Sequence, residues 1–455
     1  MAAQRAGFLP GMKFTLEGVP GTRQLLVRLS PAGERTVSRK TYSSGREVPV
    51  LDINSAQDLA VLQGCEVVRV LVTPGTLVLS PLASEQRRQR RLKRALTRLR
   101  RREPLRTAGI CAGAGILSHA VHAGLADAQV NSQLVLHNEL RADLGEQAWA
   151  YNELVGAHTQ VLQMPLQELA FDESVLQTVA EVDLVEVGLP CSGASLAGRA
   201  KRGIPVPEAH PEVGHLVVAA LALVARLNPL ACLFENVVPY ASTASAFLLR
   251  HQLRDLGYHT QECQVYGPDY GELEARRRWC LVAVTQGIEF NLSELNLRTG
   301  DRPPRQLGDV LEDPESPGLR WDRMEGLKAK ALRDRLAGKG FKMQVFEGSA
   351  QSIGTLTKGL SKNRTTDPKL RHPLDPQLLR VPSAREHARC KGVPEHLITG
   401  LAQSQAHELL GQSIVYRPFR QLAAHLGVAL RAWASAAAPE TAQSMPIQRA
   451  LKAVG

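Results

Sequence analysis

The chain is 455 residues long with a formal net charge of +11, long enough for two or three domains with hydrophobic cores. No stretch approaches the roughly 18 to 20 unbroken apolar residues of a membrane span, and no charged N-terminal region precedes an apolar one, so neither a membrane anchor nor a secretion signal is expected. The seven cysteines (Cys65, Cys111, Cys191, Cys232, Cys263, Cys280 and Cys390) are scattered, odd in number and never spaced C-x-x-C, which points away from a disulfide framework and from zinc. The expectation is a soluble, cytoplasmic protein (nucleoid-associated if bacterial) with no metal.

Residues 1–84 read as a small β-rich domain. Gln24 to Leu29 and Glu66 to Val72 are strand-like, and Thr73-Pro74-Gly75-Thr76 reads as a turn into Leu77-Val78-Leu79. Between Arg87 and Arg106 there are eleven Lys or Arg against one acid, Glu103, a local net of +10. Within 85–106, Leu92, Ala95, Leu96 and Leu99 recur at helical spacing, which predicts an amphipathic helix ringed with arginines. Dense arginine suits nucleic-acid phosphates through counterion release. A solvated linker helix and a nuclear import signal are the other readings.

From Thr107 to about Thr285 strands and helices alternate, the signature of a largely parallel sheet. Four motifs in this stretch carry chemistry. In the first, an apolar strand enters the turn Cys111-Ala112-Gly113-Ala114-Gly115 and a helix leaves it, with a second strand ending at Asn138-Glu139. Glycines let a ligand approach the backbone, and the acid can accept hydrogen bonds from an adenosine ribose. In the second, the run Val182 to Leu189 reads as a strand ending in Pro190-Cys191, at the sheet edge where ligands bind. Here a thiol is presented at a cleft. In the third, Ala231 to Phe234 ends in Glu235-Asn236-Val237, an acid at the same edge, suited to proton donation if desolvated. In the fourth, Glu274-Ala275-Arg276-Arg277-Arg278 leads into the strand Cys280 to Val284, and alternation puts Arg276 and Arg278 on one side.

These four motifs, in this order and at these separations, resemble the DNA cytosine-5 methyltransferase family. The likeness continues in the segment Arg380 to Pro394 and in Leu410-Gly411-Gln412-Ser413-Ile414-Val415, which is similar to the family's Gly-Asn-Ser-Val turn. It covers about 107–290 and 355–430. The resemblance implies an α/β fold. A Rossmann-like S-adenosylmethionine-dependent domain, mostly parallel sheet with helices on both faces, is joined to a smaller target-recognition domain and an N-terminal β-rich extension. The implied division is 107–290 catalytic, 291–400 target recognition, 401–434 returning to the catalytic domain and 435–455 a loose tail.

It also implies residue roles. Cys191 adds to C6 of a cytosine swung out of duplex DNA, Glu235 contacts N3 and the exocyclic amine, Arg278 supports the base carbonyl and Arg276 anchors that site. S-adenosylmethionine is expected against Cys111, Gly113, Ala114, Gly115, Glu139 and Pro190, with Gln412 and Ser413 reaching back from the C-terminal turn. Ser195, Lys201 and Arg202 are expected to close over double-stranded DNA, and Lys358, Lys362 and Arg364, beside Asn363, to contact it. The chain departs from the family pattern at several points. Cys111 stands where Phe is usual, Gln412 where Asn is usual, Glu274 and Ser192 where Gln is usual, and Met164 lies where an adenine-contacting acid is sought. Two rivals remain, a cytosine-5 methyltransferase acting on RNA and a catalytically silent DNA-binding regulator.

Overall fold

The computed structural model describes residues 2–295, 305–339 and 342–437, apart from Gly21, Gly64, Glu66 and residues 196–197 and 199–201. Of the described residues, those up to Arg90 form one compact unit and those from Arg91 to 437 another. Most of the expected tail, 438–455, lies outside the described residues.

In the first unit five antiparallel strands lie side by side in the order Arg35–Thr36, Lys13–Gly18, Leu25–Leu29, Thr76–Pro81, Val68–Thr73. The expected strands near Leu25 and Val68 are present. Lys13–Gly18 was not foreseen, because only Phe14 on it is fully buried and its polar residues face outward. Phe8, Phe14, Val27, Val37 and Leu77 make the small core.

The second unit is built on a seven-stranded sheet. Its strands are β1 (Leu105–Ile110), β2 (Ser132–Asn138), β3 (Gln160–Leu162), β4 (Leu184–Gly188), β5 (Ala231–Asn236), β6 (Tyr258–Tyr266) and β7 (Arg277–Thr285). They lie in the order β3-β2-β1-β4-β5-β7-β6, and only β7 runs antiparallel to its neighbours. Successive residues of each strand face opposite sides. Leu184, Leu233 and Val282 join one apolar cluster, while Val185, Phe234 and Leu281 join the other. A strand buried on both faces is largely apolar, which is why these runs stood out in the sequence. Helix α2 (Ile116–Asp127) and the C-terminal helix α8 (Tyr416–Ala436) cover the first face; α4 (Leu216–Leu227) and α5 (Ala244–Asp255) cover the second. Along α8, Phe419, Leu422, Leu426 and Leu430 recur every three or four residues and are all buried, a stripe that only packing on α2 keeps from water.

The arginine-rich segment is a helix, α1 (Ala83–Arg101), as its spacing predicted. The phosphate reading fails for three of its arginines. Arg91, 1% exposed, gives Nε to Thr285 Oγ1 at 2.9 Å, Nη1 to Asn228 Oδ1 at 3.2 Å and Nη2 to the Leu256 and Gly257 carbonyls, with its guanidinium 3.9 Å from the Tyr258 ring centre. Arg94 bridges Glu181 at 2.7 Å and Asp183 at 2.8 Å, and Arg98 lies 3.3 Å from the other Asp183 oxygen. Asp183 precedes β4 and Thr285 ends the antiparallel β7, so these contacts sit at the edge opposite the strand C-termini. Desolvated guanidinium groups need that many acceptors.

Beyond β7, Leu307, Val310, Ile353, Leu356, Leu360 and Leu370 close around Leu273 and Cys390 as a separate small core. Three short strands, Val345–Phe346, Lys369–Arg371 and Leu379–Arg380, belong to this region. Helix α6 (Ala384–Cys390) follows, started by the capping box Ser383 and Glu386, and then α7 (Gln403–Gln412).

Candidate active site

The chain order reverses on either side of β1, which pairs with β2 on one side and β4 on the other. Such a point opens a crevice beyond the strand C-termini. At the end of β1 the chain turns through Cys111, Gly113 and Gly115, with φ of 51°, 58° and 77°. A Cβ on Gly115 would lie 2.5 Å from Asn152 Nδ2, the atom that donates to the Ala114 and Gly115 carbonyls at 3.1 and 3.2 Å. A Cβ on Gly113 would meet nothing within 4 Å, so space above that residue is open to a ligand. Glu139, just past β2, accepts from Gly113 N at 2.8 Å and from Arg141 N at 3.0 Å. The acid and the glycine turn, 26 residues apart in sequence, are therefore one structure. Each Glu139 oxygen keeps a lone pair for another donor. Burial, with Glu139 adding to it, pushes the Cys111 thiol up to about 12, so this cysteine stays a neutral packing group. Asn138 Nδ2 donates to the Leu162 and Met164 carbonyls at 3.1 and 3.0 Å, fixing the chain beyond β3 by its backbone.

The edge that carries the expected catalytic residues is formed by β4, β5 and β7. Gly188 of β4 lies in register with Glu235 of β5, which brings the Pro190-Cys191 loop beside the acid. Asn236 Nδ2 donates to the Leu189 carbonyl at 3.1 Å and pins the start of that loop. Cys191 is half-buried and Pro190 exposed. The Cys191 carbonyl accepts from Ala194 N and Ser195 N at 3.0 and 2.8 Å, so the chain folds back directly after the thiol. Glu235 Oε1 lies 2.7 Å from Arg278 Nε, both side chains only 12% and 11% exposed. Arg276 and Arg278 are buried and Arg277 between them is exposed over the Tyr266 ring, the alternation expected of extended chain. Burial and the charge of Arg278 lower the Arg276 pKa, and Glu274, Glu235 and Cys191 act the other way. The thiol, the acid and the two arginines thus share one electrostatic neighbourhood.

Arg276 also ties the C-terminal turn to this edge. Its Nη2 donates to the Gly411 carbonyl at 2.8 Å. Glu274, fully buried, faces Arg276 Nη1 at 3.4 Å and Lys391 Nζ at 3.0 Å and accepts from Leu356 N at 2.9 Å. Burial works to raise the Glu274 pKa, but the Lys391 and Arg276 cations win and it is lowered. Burial and Arg276 together bring Lys391 down to about 7. The departure from Gln at 274 therefore has a physical reason: a carboxylate there balances two buried cations, where an amide leaves both uncompensated. Gly411 is held so close to Lys358 that a Cβ would lie 2.0 Å from its amide nitrogen. The Gln412 side chain is exposed, and Ser413 Oγ is turned onto the Leu410 and Ile414 carbonyls at 2.9 and 3.3 Å. Glu408, on the same helix α7, pairs with Arg141 at 2.8 Å, two residues past Glu139.

Among the residues expected at nucleic acid, Arg202, Lys358, Lys362 and Arg364 are exposed and Ser195 Oγ accepts from Gly198 N at 3.1 Å. Lys201 lies outside the described residues. Arg364 is presented by a loop that Lys369 holds from beneath, through the Arg364 and Asp367 carbonyls at 2.7 and 2.9 Å. A cavity of about 670 Å³ lies away from this edge; it is lined by His119, Arg389, Tyr416, Arg417 and Arg420 among others, and none of the expected catalytic residues lines it.

Sequence reading missed one acid. Glu186, in the middle of β4, is 1% exposed. Its backbone is in register with Gly109, which has no side chain, and its Oε2 accepts from Ser118 Oγ at 2.8 Å. Its Oε1 has no partner in the structure. Burial raises this carboxyl to about 8, against the pull of Ser118. The visible signal was a lone charge in the apolar run Leu184-Val185-Glu186-Val187.

A family model described as C-5 cytosine-specific DNA methylase matches residues 105–427. Among solved structures, the S. pombe Dnmt2 methyltransferase is 17% identical, with 72% of this chain and 98% of that one covered and a TM-score of 0.56. A Spodoptera frugiperda DNMT2 mutant gives 14%, 71%, 99% and 0.54 for the same measures. The Entamoeba histolytica methyltransferase EhMeth gives 15%, 71%, 98% and 0.51. Likeness at such identities is one of fold. A search of curated proteins found no match. The family match spans well over half the chain and includes the glycine turn, the Pro-Cys loop, the buried acid and both arginines: the chain belongs to the C-5 cytosine-specific DNA methylase family.

Proposed function

We propose that this chain transfers a methyl group from S-adenosylmethionine to C5 of cytosine in double-stranded DNA, through a covalent adduct on Cys191. The observation that carries the proposal is the Glu235–Arg278 pair at 2.7 Å beside the loop that Asn236 holds at Leu189. A thiol, a proton donor and a cation for the ring carbonyl are then within one cleft, which is what attack on an unactivated aromatic base requires. The cytosine must leave the stack to reach it.

Cys191 adds as thiolate to C6, and the electron pair of the C5–C6 double bond moves into the ring. Glu235 gives a proton to N3 as that charge develops, and Arg278, held through Nε, offers Nη2 to the base carbonyl. Arg276 holds the C-terminal turn in place through the Gly411 carbonyl. When bound, S-adenosylmethionine supplies the electrophilic methyl that C5 takes up. The C5 proton then leaves to solvent, the C5–C6 double bond re-forms, the Cys191 thiolate is expelled and N3 returns its proton to Glu235. The open space over Gly113, the lone pairs of Glu139 and the exposed Pro190 fit an adenosine cofactor, with Ala114 and Cys111 completing the turn. Gln412 and Ser413 approach from α7. Arg202, Lys358, Lys362 and Arg364 would hold DNA phosphates or base edges.

The test is covalent trapping on duplex DNA carrying 5-fluorocytosine, with S-adenosylmethionine present and a 5-fluorocytosine RNA set run in parallel. Fluorine at C5 cannot leave as a proton does, so turnover stops at the adduct. A DNA adduct that disappears in Cys191→Ala is the expected result. An adduct on RNA alone would move the substrate class, and no adduct on either would remove the activity.

A further inference from the structure

Away from the sheet edge, three side chains from distant parts of the chain converge. His119 sits on the first turn of α2, Glu153 in the turn after α3 (Ala142–Tyr151), and His396 in the 3-10 turn Glu395–Ile398. Glu153 Oε1 lies 2.8 Å from His119 Nε2, and Glu153 Oε2 lies 3.1 Å from His396 Nε2. The ligand atoms of all three fall within 4.8 Å of one another. Behind His119, its Nδ1 is 2.6 Å from the Tyr416 hydroxyl, which also lies 3.4 Å from the His119 carbonyl.

We propose that His119, Glu153 and His396 form a binding site for a divalent transition-metal ion of the zinc class. Two imidazoles and one carboxylate are the donor set of open zinc sites, in which a fourth position is left to water. Bonds of about 2.0–2.2 Å place such donors a little over 3 Å apart, close to the separations already present. The Tyr416 hydroxyl supplies the outer contact that fixes the imidazole plane and leaves Nε2 as the coordinating nitrogen. One donor is anchored, with the His119 side chain 12% exposed; the other two, Glu153 at 62% and His396 at 49%, have the freedom to swing onto an ion. The 670 Å³ cavity shares His119 and Tyr416 with the cluster and gives an ion its way in.

The site has a structural consequence. Glu153 follows Asn152, whose side chain holds the carbonyls of Ala114 and Gly115, and His119 lies one turn beyond that same glycine turn. An ion would therefore clamp the start of α2 to the segment after α6. No step of methyl transfer runs through it. Cysteine spacing excluded zinc in the sequence because it tests only local patterns, and these donors are separated by 34 and 243 residues.

The experiment uses the full-length, untagged chain after chelation, titrated with Zn²⁺ and, as a spectroscopic probe, with Co²⁺. Calorimetry and elemental analysis should give one ion per chain, Tm should rise on adding Zn²⁺, and Co²⁺ should show the visible bands of a tetrahedral N/O site. Glu153→Gln and His396→Ala, both at exposed side chains, should abolish the stoichiometric ion and the Tm shift while leaving the metal-free Tm unchanged. Absence of a stoichiometric ion in the unaltered chain would overturn the proposal, leaving the three groups as a hydrogen-bonded cluster. Binding that survives both substitutions would overturn it too, since the ion would then sit elsewhere, on cysteines or other histidines.

Discussion

The two edges of the central sheet use arginine in opposite ways. At the edge where β4 begins, Arg91 and Arg94 are saturated: each makes four hydrogen bonds, and Arg91 also stacks on Tyr258. At the edge where β4 ends, Arg276 and Arg278 are buried with fewer acceptors, and Arg276 Nε has none in the structure. Saturated guanidinium groups hold a fold together. Groups kept short of acceptors in a water-poor cleft have donors left for a ligand and cost stability to keep there. Under the proposed function, the same residue type is structural at one edge and serves the ligand at the other.

The comparison breaks most sharply at Cys191. Cys191→Ala should lower methyl transfer by on the order of 10⁴-fold or more, because the nucleophile has no substitute, with Tm unmoved since no side-chain packing depends on it. Radiolabelled methyl transfer beside a melting curve checks both halves. The opposite edge should respond in reverse. Asp183→Asn leaves Arg94 and Arg98 without their shared carboxylate and should cost about 3 kcal/mol of unfolding free energy, measured by denaturant titration. The turnover of the folded fraction should stay as it was. A selective loss of turnover there would end the division of labour between the edges.

Arg278→Lys keeps the charge but not the planar fork that serves Glu235 and the base carbonyl together. Turnover should fall on the order of 10²-fold with little change in Tm, read from kcat at saturating cofactor. A drop in Tm with unchanged kcat would make Arg278 structural, like its counterparts on α1.

Much of this was legible in the sequence and some was not. The strands at 105–110, 184–188 and 231–236 are largely apolar on both faces, so buried strands announced themselves, and with the last two the positions of Cys191, just past a strand end, and Glu235, near the end of its strand. The arginine pair was legible because extended chain alternates. The use of α1 was not, because composition counts arginines and cannot count their acceptors; Asp183, Asn228 and Thr285 arrive from 89 to 194 residues away. The Glu274–Lys391 pair was hidden for the same reason. So was the turn of Ser413 onto its own helix, which depends on how α7 ends and not on the residue at 413.

Glu186 lies between the two edges, on the strand that connects them, and sharpens the comparison. It is as buried as Arg91 but shares the shortage seen at Arg276, with Oε1 unpaired. Its folded pKa, about 8, is above the ordinary carboxylate value of 4.5. The folded state therefore holds a proton that the unfolded chain has released, and the stability it contributes is present below pH 4.5 and lost as pH rises through 8. The buried histidines act in the other window. His122 and His407 are lowered by burial from 6.5 to about 4, so they favour the folded state above 6.5 and weaken it as pH falls through 4. Between pH 6.5 and 8 the histidines are silent and Glu186 stands out from them. Lys391, brought down to about 7, and Lys369, brought down to about 8, add stability as pH rises across the same interval. The Glu186 loss of about 2 kcal/mol is therefore read as the difference in slope from Glu186→Gln, which carries a neutral amide of the same shape and keeps both lysines. Denaturant titrations at the two pH values, on both proteins, give the number. Equal slopes would mean that Glu186 is ionised in the fold and meets a cation at its unpaired oxygen.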